Sequence, residues 1–157
     1  MSNKSLDFVI GNTLTKFYNT EGTKEFVEKA AGILVFPSII KAGLFGFGGS
    51  YGQGGLVIKD DVQSYFNIVS ASFGFQLGIQ QYSLLLLFLT QEALDDFVNS
   101  DGWQVGVNAS VAIIEFGAGA VVNTDSIKDD IIAVVFDNAG LMYEFSLSGT
   151  KISRQVG

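Results

Sequence analysis

The sequence predicts an α+β domain: a strongly curved, largely antiparallel, glycine-rich β-sheet or barrel-like sheet, with N-terminal helices and one connecting helix near residues 91–99. Three observations predict it. Leu6, Ile10, Leu14 and Phe17 recur at the spacing of one helical face. Residues 32–58 crowd eight of the chain's 19 glycines and its only proline between two apolar runs, a composition that excludes an ordinary helix, where each glycine costs about 1 kcal/mol against alanine. Several later stretches alternate apolar with small or polar residues, the period of a strand with one covered face.

At 157 residues the chain has the length of one domain, and residues 1–157 are read as a single unit, a helical arm (1–31) followed by a β-rich body (32–157). A domain of this size buries about 68–70% of its unfolded surface. The longest dense apolar run, Leu84–Leu89, is far short of the ~20 residues a spanning helix needs. With no cysteine, disulfides and thiolate chemistry are excluded. The formal charge of −7 argues against nucleic acid, whose phosphates require clustered Lys and Arg. That charge lies in the body: residues 1–31 carry four basic and four acidic side chains, and the remainder five basic and twelve acidic. The N-terminus lacks the basic start, long apolar segment and cleavage site of a signal peptide. This fits either a cytoplasmic chain or a mature segment whose signal has been removed.

In chain order, the first helix runs through Leu6, Ile10, Leu14 and Phe17, weakened by Gly11. A second follows Thr23 as N-cap, from Lys24 to Ala31, with Phe26 and Ala30 inward and Gly32 as its stop. The glycine-rich stretch is β-structure with sharp turns, its glycines serving bending and close strand packing. From Val69 the odd positions Val69, Ala71, Phe73, Phe75, Leu77 and Ile79 are apolar, predicting a strand or bent hairpin arm with that face in the core. The all-apolar runs Leu84–Leu89 and Ile131–Phe136 predict strands covered on both sides. Thr90 caps a helix with Glu92 in its first turn and Leu94, Phe97 and Val98 as its buried stripe, broken by Ser100-Asp101-Gly102. Trp103 to Ile113 repeats the strand alternation. Asp137-Asn138-Ala139-Gly140 predicts a hairpin into an alternating strand, Leu141 to Leu147.

Catalytic templates fail one by one. Gly46 and Gly48 would need a glycine where Tyr51 stands to complete a dinucleotide fingerprint, and no Gly-Lys-Ser/Thr follows to make a phosphate loop. Without His or Cys, the commonest general base and the usual zinc ligands are missing, so neither catalytic residue, metal site nor cofactor is expected. The adjacent pairs Asp60-Asp61, Asp95-Asp96 and Asp129-Asp130 point their carboxylates in different directions and read as solvated turn and helix acids. A small outer-membrane barrel shares the alternation, but it needs eight or more similar strands. This chain gives residues 6–31 and 91–99 to helical patterns.

Three segments together resemble the SYLF domain family, over about Leu14 to Arg154. They are Gly32-Ile33-Leu34-Val35-Phe36-Pro37 with Lys41-Ala42-Gly43 and Gly48-Gly49-Ser50-Tyr51-Gly52; Ser70-Ala71-Ser72-Phe73-Gly74 continuing to Gly78 and Tyr82; and Phe97 with Ser100-Asp101-Gly102-Trp103 and Gly106. Gln53 departs from the Y-G-E-G of the bacterial pattern. The resemblance implies a non-enzymatic module that binds membrane lipid, with phosphoinositides and actin or its regulators as ligands of eukaryotic members. Bacterial members are commonly exported or lipid-anchored, which implies a periplasmic or membrane-associated place. Lipid binding in the family is attributed to an amphipathic N-terminal helix and nearby basic residues. Carried over, this assigns Phe8, Val9, Leu14 and Phe17 as the apolar face, with Lys16, Lys24, Lys29 and Lys41 as headgroup contacts. The alternative is a structural or protein-interaction module whose N-terminal helices are packed in the fold. Burial or exposure of Leu6, Ile10, Leu14 and Phe17 bears on the choice.

Overall fold

A computed structural model describes residues 3–44, 47–73, 78–114, 128–136, 147 and 149–155. Among them lie three helices, α1 (Asn3–Tyr18), α2 (Lys24–Lys29) and α3 (Gln91–Val98), and eight strands. These are β1 (Gly32–Leu44), β2 (Phe47–Ile58), β3 (Asp61–Phe73), β4 (Gly78–Phe88), β5 (Trp103–Gln104), β6 (Ala112–Ile114), β7 (Ile131–Phe136) and β8 (Thr150–Arg154). The strands form one strongly curled half-barrel sheet in the order β5-β8-β3-β2-β1-β4-β7-β6. Every pair is antiparallel except β6–β7.

The glycine-rich stretch is the β1–β2 hairpin at the centre of this sheet. Pro37 has no N–H to give to a ladder, and around it the β1 register shifts against both neighbours. The bulge is held from β4 by the Ser83 hydroxyl, which donates to the Pro37 carbonyl oxygen at 2.6 Å. Opposite it β2 must come close. A Cβ on Gly54 would collide with the Val35 carbonyl oxygen and stand 2.6 Å from Phe36, and one on Gly52 would stand 2.9 Å from Ile39. These glycines make strand packing close, as the sequence predicts.

The sheet is covered on both faces. On one, Leu34, Phe36, Ile39, Phe66, Ile68, Leu84, Leu86 and Phe88 pack beneath Leu94 and Phe97 of α3 and beneath Trp103. The Phe97 ring lies 4.9 Å from Phe66, 5.0 Å from Phe88 and 5.5 Å from Trp103. On the other, Ile33, Val35, Val57, Leu85, Leu87, Ile132 and Val134 receive α1 through Leu6, Ile10, Leu14 and Phe17, and α2 through Phe26. Coverage of both faces at residues 84–88 of β4 and 131–135 of β7 is why these stretches read as continuous apolar runs.

Several sequence expectations are corrected. Thr23 does not cap α2 through its side chain; its hydroxyl donates instead to the carbonyls of Phe17 and Thr20, at 3.1 and 2.9 Å, tying α2 back to the end of α1. Gly32 opens β1 and is not a helix stop. At its start the alternation from Val69 has the opposite phase, with Phe66 and Ile68 buried and Val69 50% exposed; residues 74–77 of that expected strand lie outside the described residues. Partner strands set the phase, since Ile68 pairs with Gly52 and Ile152 in the row that includes buried Ile39. The alternation from Trp103 is broken after two residues. Gly106 takes φ +83°, Asn108 Oδ1 accepts from the Gln104 N–H at 2.8 Å, and Val107 is left 74% exposed on the turn. By contrast α3 is as expected, with Thr90 accepting from the Ala93 N–H at 3.1 Å and Gly102 at φ +80° beyond its end. The expected hairpin at 137–140 and most of the 141–147 strand lie outside the described residues; Leu147 is buried.

The crowding at Gly54 makes a test. Gly54→Ala should destabilise the chain by about 3 kcal/mol, at the upper end of the usual cost of overpacking, because the obstacle is backbone. Gly11→Ala, on the open side of α1 with nothing within 4 Å of the added carbon, should stabilise it by about 0.5–1 kcal/mol. Urea unfolding of the two variants reads both signs.

Candidate functional site

Helix α1 divides the residues assigned to lipid contact. Leu14 (7% exposed) and Phe17 (0%) face the sheet together with Leu6 and Ile10, whereas Phe8 is 70% exposed and Val9 half-buried. Phe17 meets the ring of Phe136 edge-on at 5.9 Å, and the Lys16 ammonium lies over that same ring, also at 5.9 Å. Lys24 and Lys29 are exposed on α2. The structure therefore brings Lys16 to Phe17 but puts Phe8 and Leu14 on opposite sides of one helix.

The helix is also fastened to the sheet at both ends by tyrosine–aspartate pairs. The Tyr65 hydroxyl on β3 donates to Asp7 Oδ1 at 2.6 Å. Near the other end, Tyr18 is hydrogen-bonded to Asp60, which sits with Lys59 in a two-residue β2–β3 turn at φ +67° and +51°. Both phenols are held above their ordinary pKa, Tyr65 first by the Asp7 hydrogen bond, then by burial and by the carboxylate charge. For Tyr18 burial comes first, followed by the charge and hydrogen bond of Asp60.

Lys41 belongs to another region. It lies in the register row Gln80–Lys41–Ser50–Ser70–Thr150, one strand phase with the Ile39 row and so on the α3 face of the sheet, away from α1. In that row the Ser50 and Ser70 hydroxyls hydrogen-bond each other. Tyr82, buried beside them, has its phenol pushed up by desolvation, with a hydrogen bond to Ser50 acting the other way. Gln53, the position that departs from the bacterial pattern, donates to the Tyr51 hydroxyl at 3.3 Å.

Two surface features were not singled out by the sequence. On the α1 face, beyond the reach of the helix, Ile40, Tyr51 and Val69 stand in one cross-strand row, each about half exposed (50%, 51% and 50%). Their sequence signal is an alternation whose phase only the pairing reveals. The second feature is a cleft of about 180 Å3 between α3, the turn after β5 and the lead into β7, lined among others by Glu92, Asp96, Trp103, Asn108, Ser110 and Asp130. Its sequence signal was the four-residue spacing of Glu92 and Asp96, which puts both on one side of α3. Ser110 donates to Asp129 at 2.8 Å beside it. Among the described residues no three His, Cys, Asp or Glu gather closely enough to hold a metal ion, and no helix is long and apolar enough to cross a membrane.

Compared with known proteins, the chain matches a family model described as Ysc84, Las17-binding protein actin regulator, over residues 69–156, more than half of its length. No curated protein gave a match. The matched stretch contains the whole lining of the cleft and excludes α1.

The Tyr65–Asp7 contact fixes a pH dependence. Its hydroxyl must stay protonated to donate, and its folded pKa is raised above the ordinary 10.0. The contribution is therefore complete below pH 10.0 and is lost as pH rises through the folded value. Tyr65→Phe should be less stable than the parent chain at pH 8, and the gap should close as urea unfolding is repeated above pH 10.0.

Proposed function

The chain belongs to the Ysc84 (SYLF) domain family, and from that membership we propose that it is a non-enzymatic binding module that engages a protein partner of the actin-regulatory kind through the body of its sheet. The observation that carries this reading is the burial of Leu6, Ile10, Leu14 and Phe17, from 0% to 7% exposed. A helix spent on the core is part of the scaffold. To offer that stripe to a bilayer α1 would have to undock, forfeiting about 1.5–3 kcal/mol for each buried apolar side chain and both tyrosine–aspartate contacts. What remains presented is the sheet body, with the Ile40–Tyr51–Val69 row and the cleft.

A second reading, peripheral binding to membrane lipid at a periplasmic or membrane-associated site, is favoured by one observation: Phe8 stands 70% exposed on the helix. It would act with Val9, Lys16, Lys24 and Lys29 and without undocking. Charge supports this reading weakly. Each basic residue near an anionic surface is worth about 1 kcal/mol, and the arm carries as many acids as bases.

Parallel pelleting of the full chain with filamentous actin and with phosphatidylserine-containing vesicles separates the two. The protein-binding reading expects pelleting with actin that Phe8→Ser leaves intact. Pelleting with vesicles alone, abolished by Phe8→Ser, would transfer the function to lipid; pelleting with neither would remove the lipid reading and filamentous actin as the partner. Deleting residues 1–19 should lower the melting temperature whichever surface binds, because it strips the cover from Ile33, Val35, Leu85 and Leu87.

A further inference from the structure

We propose that the register row Lys41–Ser50–Ser70–Thr150, on the α3 face of the sheet, is a carboxylate-binding site that takes an acidic side chain of the partner protein. The inference deepens the protein-binding reading and rests on it. It starts from a cation without a counter-charge. Residues 32–157 carry twelve acids and five bases, yet Lys41, one of the five, is half-buried and among the described residues has neither an ion pair nor a hydrogen bond. No acid stands in the row or in the two rows that flank it, which run through Ile39, Gly52 and Ile68 on one side and Gly43, Gly48 and Ser72 on the other. Burying a charge without a partner is costly, and an anion from outside the chain offsets that cost.

The second observation is independent of the charge. Residues paired in register on neighbouring strands turn their side chains to the same face, so the hydroxyls of Ser50, Ser70 and Thr150 stand in line with Lys41. They interrupt a face otherwise built of Leu, Ile and Phe beneath α3. The Ser50 and Ser70 hydroxyls hydrogen-bond each other. Tyr82 meets Ser50 from the adjoining row, its phenol pushed up by desolvation while the Ser50 hydrogen bond acts the other way, which marks a place where water competes little for polar groups. Ser50 is 9% exposed and Thr150 3%, and among the described residues the Thr150 hydroxyl has no hydrogen-bond partner. A buried hydroxyl left unpaired is costly. A carboxylate accepts from hydroxyls and pairs with an ammonium, so it satisfies Thr150 and Lys41 together.

Space and charge narrow the anion. Gly43 and Gly48 lie two residues from Lys41 and Ser50 on the same face and pair with each other, so the sheet itself puts no side chain beside that end of the row. Neighbouring strands are about 4.8 Å apart, and the long flexible stem of lysine carries its three donors across that interval to a group held over Ser50 or Ser70. One ammonium and a set of neutral hydroxyls balance one negative charge. A carboxylate supplies that charge, whereas a phosphoryl group, at about −1.5 to −2 near neutral pH, would leave a surplus in a half-buried place. The site also joins Lys41-Ala42-Gly43, Gly48-Gly49-Ser50 and Ser70-Ala71-Ser72, three stretches singled out in the sequence that the packing of the helices leaves without a role.

The test follows backbone amide NMR shifts of the isotope-labelled full chain during titration with acetyl-Gly-Glu-Gly-amide and with its glutamine and phosphoserine counterparts. The glutamate peptide should give saturable shifts centred on Lys41, Ser50, Ser70 and Thr150. The neutral glutamine peptide should bind at least tenfold more weakly, and the phosphoserine peptide no more tightly than glutamate. Lys41→Met should lose the response, and its melting temperature without peptide should equal or exceed the parent's, because it removes an unpaired half-buried charge. Thr150→Val, which keeps the shape and removes the hydroxyl, should weaken binding severalfold. No saturable change, shifts centred elsewhere, an equal response to glutamine, an unaltered response in either variant or a lower melting temperature in Lys41→Met would overturn the proposal; tighter binding of phosphoserine would overturn the carboxylate assignment. Actin pelleting separates the site from the reading it rests on. If the parent chain binds the glutamate peptide but does not pellet with actin, the site stands and that partner is lost; if Lys41→Met pellets as the parent does, the row is not where the partner docks, and the protein-binding reading stands without it.

Discussion

The close approach of β2 to β1 at the Pro37 bulge is the contact on which the rest of the sheet depends. Pro37 interrupts the ladder, Ser83 holds the bulge from β4, and Gly52 and Gly54 let β2 lie against the displaced backbone. A bulge of this kind bends a strand and adds local twist, and β1 is flanked by the two strands that lead to either half of the sheet. Distortion placed here is carried into both halves. Gly55 extends the same logic towards the helix, for a Cβ there would stand 2.9 Å from Ile10 of α1.

With the sheet shaped in this way, its two faces have separate duties. One takes α3 and the ring cluster around Phe97; the other takes α1 and α2. Helix α1 covers only part of its face, and the uncovered remainder carries Ile40, Tyr51 and Val69. The acids of α3 and the lead into β7 collect around Trp103 on the other side of the molecule's architecture. Burial, and not composition, therefore decides which groups can meet a partner. Four of the most apolar residues in the N-terminal arm are unavailable, while three residues of a strand row are presented.

Much of this architecture was legible locally. Helix α3 could be read from Thr90, Glu92, Leu94, Phe97 and Gly102, because capping, helix dipole and a positive-φ stop all act within a few residues. The doubly covered stretches of β4 and β7 could be read from uninterrupted apolar runs. The phase of β3 could not, since nothing within 69–79 says which side of the sheet will be covered; pairing of Ile68 with Gly52 and Ile152 decides it. The Lys59–Asp60 turn was hidden because two non-glycine residues adopt the positive φ usually marked by Asn-Gly. Among the assigned lipid contacts, Phe8 and Leu14 looked alike as apolar residues of one amphipathic helix. Docking separated them. The cleft joins residues 92, 96, 103 and 130, a span of chain that no local motif connects.

The crowding around β2 also bears on how mutational data for such a domain would look. A saturation scan scored by function would mark Gly52, Gly54 and Gly55 as intolerant of every side chain, a pattern easily taken for a ligand-binding loop. Here that intolerance would come from the carbonyl of Val35 and the side chains of Phe36, Ile39 and Ile10, and it would follow protein abundance. Exposed positions of the sheet such as Ile40, Tyr51 and Val69 would show the reverse, with substitutions there leaving abundance largely unchanged. Comparing an abundance score with a binding score, position by position, would separate scaffold from surface in this fold.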